Sequence, residues 1–134
     1  LTDGAAVLRT NAFPHIAIAD PKTAPYGAAG MAVLDKLGLT DVVTPKIVTG
    51  ENITQTQQFV ESGSAELGFV ALSQVVGKPA ARVWVPPQED YPAIRQNAVL
   101  LKTGAGNDAA KALLDYLKSD EAVAVIEAAG YSVD

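Results

Sequence analysis

His15-Ile16-Ala17-Ile18-Ala19 is an apolar run too short for a buried helix and ends in a loop, Asp20-Pro21-Lys22-Thr23-Ala24. Pro25 then opens an amphipathic segment that runs to Leu37. Proline is favoured at a helix start because its missing N–H would have been unpaired there and its fixed φ suits the first turn. The stretch therefore reads as strand, tight loop and helix. Tyr26, Gly27 and Ala28 are expected to offer backbone N–H groups at the positive end of the helix dipole, with Gly27 permitting close approach to the main chain. That is the build of an anion site.

A second copy of the arrangement follows. Lys46-Ile47-Val48-Thr49 reads as a strand, Gly50-Glu51-Asn52 as a turn, and Ile53 onward as a helix over 53–62 that buries Ile53, Phe59 and Val60 and stops at Gly63. Asn52 is a good N-cap, and Gln55 lies three residues on, as in a capping box. Leu67 to Ala71 is a continuous apolar run of the kind found in parallel strands covered on both faces. Strand, helix, strand, helix, strand predicts a doubly wound α/β sheet. Two helix N-termini at the carboxyl ends of neighbouring parallel strands then converge on one crevice, where open α/β sheets bind ligands.

Around this centre, Leu1 to Thr10 reads as a short helix stopped by Phe13-Pro14, since proline pushes its predecessor out of the helical region. Helix 26–37 buries Ala29, Val33, Leu34 and Leu37 and ends at Gly38. Thr40 to Pro45 is a short turn or helix. Ala81 to Val85 is expected to form a strand, and Pro86-Pro87-Gln88-Glu89-Asp90 a linker. Beyond it, Ile94 to Leu101 reads as a strand, Asn107 caps a helix to Lys118, and Ser119 starts a last helix closed by Gly130. Residues 1–90 are thus one α/β lobe. Residues 91–134 are a crossover strand and helices of a second, incomplete lobe, whose apolar Leu100, Leu113, Leu114 and Val125 need a partner surface.

With 134 residues, 49% of them hydrophobic, the chain can bury one modest core. A net charge of −5 argues against nucleic acid, which draws on clustered Lys and Arg. It also weakens long-range attraction of small anions, so local dipoles and hydrogen bonds must hold any bound anion. There is no cysteine, which excludes disulfides and thiolate metal sites. No run approaches the roughly 20 apolar residues of a membrane span. The first residues show no export signal, so any such signal has been removed or lies upstream.

Asp20-Pro21-Lys22-Thr23-Ala24-Pro25-Tyr26-Gly27, Val48-Thr49-Gly50-Glu51-Asn52-Ile53 and Leu67-Gly68-Phe69-Val70-Ala71-Leu72-Ser73-Gln74 resemble the periplasmic molybdate-binding proteins that feed ABC transporters. The likeness continues through Tyr91-Pro92-Ala93-Ile94 and Leu113-Leu114-Asp115-Tyr116-Leu117-Lys118 to Gly130-Tyr131. It implies a periplasmic-binding-protein-like fold of two lobes that close over molybdate or tungstate, in the periplasm, before docking on a membrane ABC permease. No cofactor and no direct protein ligand to a metal are implied. Carried onto this sequence, the oxyanion-binding residues are Tyr26, through its backbone N–H or with its side-chain hydroxyl as well, and Ile53, through its backbone N–H alone, with Pro25, Gly27, Asn52 and Ala71 lining the site. Some family members place a ligand tyrosine where Ala71 stands, and a methyl group donates no hydrogen bond. The family's longer chain also supplies ligands from an N-terminal portion without a counterpart here. The chain is therefore expected to own half of the anion seat, with self-association or a missing N-terminal segment completing the second lobe.

A tetrahedral dianion offers acceptors alone, so a cradle of donors satisfies it, each bond to a charged group contributing roughly 1.5–3 kcal/mol. A protonated oxyanion leaves its own hydrogen unpaired there, which discriminates against phosphate. Rival readings are a receptor for another oxyanion or an organic acid, and the ligand-sensing lobe of a regulator. An enzyme is disfavoured: Ser73, His15 and Asp20 lack nucleophile-elbow spacing, and His15 reads as a strand-edge residue, not a metal ligand. Gly104-Ala105-Gly106 is too short for a dinucleotide fingerprint.

Overall fold

Ile16–Ala19 forms the central strand β1, and all four of its residues are buried, as expected of a parallel strand covered on both faces. A computed structural model describes residues 3–79 and 82–133. Ahead of β1 stands helix α1, Gly4–Thr10, capped by the Asp3 side chain. After it come α2 (Pro25–Lys36), α3 (Thr40–Val43), a single 3-10 turn at Thr44–Lys46, β2 (Ile47–Gly50), α4 (Ile53–Glu61) and β3 (Leu67–Gly68). The strands lie in the order β2-β1-β3, all parallel. Ile16 is level with both Ile47 and Leu67.

Helices α2 and α4 cover opposite faces of the sheet. A Cβ on Gly68 would meet Val60 of α4 at 2.5 Å, whereas the next residue, Phe69, lays its ring against Gly30 of α2. Consecutive residues of an extended chain point to opposite faces. The sheet is therefore doubly wound, with one crossover helix on each side. Leu8, Phe13, Ile16, Ile18, Leu34 and Val43 form the core, and Met31, Ile47, Phe69 and Trp84 pack against it. Each fully buried aliphatic side chain contributes about 1.5–3 kcal/mol. Lys46 ties the loop after α1 to this core, its Nζ donating to the carbonyls of Asn11 (2.7 Å) and Phe13 (2.9 Å).

The helix stops are those expected, with Gly38 and Gly63 at φ of +69° and +77°, conformations in which a Cβ is strained. Several expectations need correction. The third strand pairs over Leu67–Gly68 alone, extended by one bond from the Phe69 amide to the Ala17 carbonyl (3.0 Å), and does not reach Ala71. Helix α4 buries Thr56 fully, while Ile53, Phe59 and Val60 are half-buried at its flanks. Arg82 to Val85 forms no strand, and Ala81 lies outside the described residues. Ile94 to Leu101 is likewise irregular, ending in a 3-10 turn at Lys102–Gly104. Both segments have strand-like composition, but a strand exists through its ladder, and no described strand pairs with either one.

The chain divides into two compact units, Leu1–Ile94 and Arg95–Asp134. The second contains α5 (Asp108–Tyr116), capped by Asn107 through the amides of Ala109 and Ala110, and α6 (Asp120–Ala128), capped by Ser119. Leu113 and Val125 on these helices are largely exposed.

Candidate functional site

Parallel pairing brings the carboxyl ends of β1 and β2 side by side, with Ala19 level with Gly50. The Asp20 amide extends the ladder by donating to the Gly50 carbonyl at 2.8 Å. From that shared edge two short connections lead into helices. Asp20 folds its loop back on itself: its carbonyl accepts from Thr23 (3.1 Å) and Ala24 (2.8 Å), and its Oδ1 accepts from Lys22 N–H (2.9 Å). Helix α2 begins directly afterwards, with Pro25 in its first turn as read from the sequence.

The turn after β2 is tighter still, Glu51 and Asn52 alone separating Gly50 from α4. Gly50 is required there, because a Cβ would lie 2.5 Å from Thr56 Oγ1 and 2.9 Å from its amide. Asn52 Oδ1 accepts the Gln55 amide at 2.9 Å, completing the expected N-cap. Gln55 Oε1 reaches back to the amide of Glu51 (2.6 Å), one residue before the amide that a capping box engages. Thr56 is fully buried and satisfied, Oγ1 donating to the Asn52 carbonyl at 2.9 Å.

Tyr26 and Ile53 are thus brought to one edge of the sheet, each in the first turn of a helix of nine residues or more. Two members of the expected α2 donor set are engaged within the helix. Gly27 and Ala28 both donate to the Ala24 carbonyl (3.0 and 3.2 Å), because the residue ahead of a helix takes up the first-turn amides behind its first two positions. Gly27 itself is explained by packing. A Cβ there would overlap the Ala19 carbonyl oxygen, so glycine lets α2 dock on the end of β1.

On α4 the amides of Ile53 and Thr54 engage no acceptor among the described residues, which adds Thr54 to the donors read from the sequence. Any second helical position lacks an intrahelical acceptor, so this residue was open to the same reasoning as Ile53. Pro25 and Asn52 are exposed beside these turns. Ala71 is buried at the exit of β3, and its amide is taken by Gln74 Oε1 at 3.0 Å, so it offers neither hydroxyl nor N–H.

Gln74 escaped the sequence reading. Its carboxamide also donates from Nε2 to the Ile53 carbonyl (3.3 Å), and its own carbonyl accepts from Gln57 Nε2 (3.3 Å). It thereby ties the exit of β3 to the first turn of α4. A glutamine in a loop carries no signal of such a role until both of its partners are placed.

His15 and Asp20 stand at opposite ends of β1, roughly 16 Å apart at strand rise, so they cannot share a hydrolytic triad with Ser73. His15 instead meets Glu66 at the far edge of the sheet. Among the described residues no group of three His, Asp or Glu side chains could hold a metal ion. No described helix is long and apolar enough to cross a membrane.

Residues 1–132 match the family model described as bacterial extracellular solute-binding protein. The chain is 53% identical over 129 residues to the molybdate-binding protein ModA of Rhodobacter capsulatus, an alignment covering 96% of this chain and 51% of that protein. It is 54% identical over 134 residues to ModA of Azotobacter vinelandii, covering 98% and 53%. Its fold superposes on the periplasmic molybdate-binding protein of Azotobacter vinelandii with a TM-score of 0.83 at 41% identity, over 96% of this chain and 58% of that one. The chain spans about half the length of the curated relatives it matches.

Proposed function

Because the chain belongs to the bacterial extracellular solute-binding protein family, we propose that it carries one half of a seat for molybdate or tungstate. The assembled seat captures the oxyanion in the periplasm and hands it to a membrane ABC permease. The observation that carries this reading is the pairing of Ala19 with Gly50, which sets the first turns of α2 and α4 on one edge of a parallel sheet. Backbone N–H groups of Tyr26, Ile53 and Thr54 then face a tetrahedral dianion with donors alone, at the positive ends of two helix dipoles. Pro25, Gly27, Asn52 and Ala71 shape the turns around them. Relatives named for molybdate binding, at more than half identity, favour this oxyanion over an organic acid.

Residues 1–90 form the oxyanion lobe in this reading, and 91–134 belong to the other lobe. The division of the chain at Ile94 supports that partition. The remaining donors come from outside this chain, so its own affinity is far weaker than that of an assembled two-lobed protein.

Titration followed by calorimetry and by amide NMR tests the proposal. Molybdate and tungstate are expected to bind one per chain, phosphate not at all at neutral pH, and the shifted amides to cluster at Tyr26, Ile53 and Thr54. Ile53→Pro removes one donor at a position where proline is tolerated in a helix, and should weaken binding about ten-fold with the fold intact. Molybdate binding that is submicromolar in this chain alone, or unchanged in Ile53→Pro, overturns the half-seat reading.

A further inference from the structure

We propose that Gln74 is a positioning residue for the anion seat, setting the aim of the α4 amides and through it the preference for molybdate over the smaller sulfate. This rests on the oxyanion reading given above. Strands β2 and β3 flank β1 and do not touch each other, so nothing in the sheet itself fixes the end of β3 relative to the start of α4. The Gln74 carboxamide spans that gap with both of its ends engaged, Oε1 on the Ala71 amide (3.0 Å) and Nε2 on the Ile53 carbonyl (3.3 Å).

The second bond bears directly on a donor. The Ile53 carbonyl and the Thr54 N–H belong to one planar peptide unit and point in opposite directions. The Gln57 amide already engages that carbonyl through the helix. The Gln74 donor adds a second bond to it, stiffening the plane in which Thr54 N–H projects and polarising that N–H toward an acceptor beyond the helix start. A side chain with one donor and one acceptor is needed at position 74: methionine makes neither bond, and glutamate keeps the Ala71 bond but cannot donate to Ile53.

Sulfate and molybdate share charge and shape and differ in size, so the seat tells them apart by the spacing of its donors. A loosened Ile53–Thr54 peptide settles onto the smaller anion at little loss while holding the larger one less well. The cross-brace is therefore a selectivity device in addition to a structural one.

The test compares the wild-type chain with Gln74→Met and Gln74→Glu by NMR titration with sodium molybdate and sodium sulfate. Gln74→Met is expected to bind molybdate about ten-fold more weakly and sulfate within about two-fold of wild type. Gln74→Glu, which also adds a negative charge beside the seat, should weaken both dianions at low salt but molybdate by the larger factor. In the ligand-free protein the Thr54 amide resonance should move in both variants, whereas exchange protection of the Ala71 amide should fall in Gln74→Met alone. Wild type that binds molybdate, with variants of unchanged affinity ratio, overturns the role of Gln74 and leaves the oxyanion reading standing. Equal loss for both anions, in step with a lowered melting temperature, likewise reduces Gln74 to packing. Wild type that responds to neither molybdate nor tungstate ends the oxyanion reading and this inference with it.

Discussion

The Glu66 carboxylate accepts the backbone N–H of His15 at 2.9 Å, joining the residue that precedes β3 to the residue that precedes β1. Its pKa is lowered, first by that bond, then by the Glu66 amide itself, with a smaller attraction from His15 against a little desolvation. A carboxylate whose pKa is lower in the fold than in the unfolded chain adds stability above its unfolded value, and that stability is lost as pH falls through the folded one. Thermal melts should therefore fall off just below the ordinary glutamate range. The slope should flatten in Glu66→Gln, with the two proteins converging at the most acidic points. An identical acid limb in the variant would show that this contact contributes nothing to folding.

Gly27 sits where α2 touches the end of β1, and a methyl group there would overlap the Ala19 carbonyl oxygen. Backbone on both sides cannot yield as a side chain can. Gly27→Ala is expected to destabilise the first unit by about 1–3 kcal/mol, in the range of overpacked cores. Ala28→Gly, one residue on at an exposed position, should cost no more than about 1 kcal/mol. Denaturant midpoints of the two variants measure the contrast.

Local signals carried the reading of this first unit because each acts within a few residues. Pro25 starts a helix, Asn52 caps one, and Gly38 and Gly63 end two, whatever the tertiary surroundings. The buried run Ile16–Ala19 announces a central strand by the same token. What the sequence does not carry is pairing. Arg82 to Val85 and Ile94 to Leu101 have the composition of strands, yet a ladder needs a neighbour, and composition cannot say whether one is present. The site divides along the same line. Ile53 and Tyr26 were legible as helix starts, whereas the engaged amides of Gly27, Ala28 and Ala71 depend on where the Ala24 and Gln74 acceptors fall in space.

Thr56 places a hydroxyl in a fully buried position and satisfies it on the Asn52 carbonyl at 2.9 Å. That carbonyl also receives the Thr56 amide at 3.1 Å, so it keeps a partner if the hydroxyl is removed. Thr56→Val, which preserves the shape, should cost about 1 kcal/mol, the net worth of one hydrogen bond. Thr56→Ala adds a cavity and should cost more. Calorimetric melts that rank valine below alanine in stability would contradict this order.

Asp20 places a carboxylate on the loop between β1 and α2, at the edge where the anion is proposed to bind. It also holds that loop, Oδ1 accepting the Lys22 amide at 2.9 Å. The two roles separate by substitution. Asparagine keeps an acceptor oxygen for Lys22 and removes the charge, so Asp20→Asn should bind molybdate several-fold more tightly than wild type at low salt. The gain should shrink as ionic strength rises and the Debye length contracts from about 30 Å at 0.01 M to about 10 Å at 0.1 M. Asp20→Ala removes the acceptor as well and should lose loop order, offsetting the electrostatic gain. Affinity in Asp20→Asn that equals wild type at every salt concentration would place the anion beyond the reach of this loop, and so away from the first turn of α2.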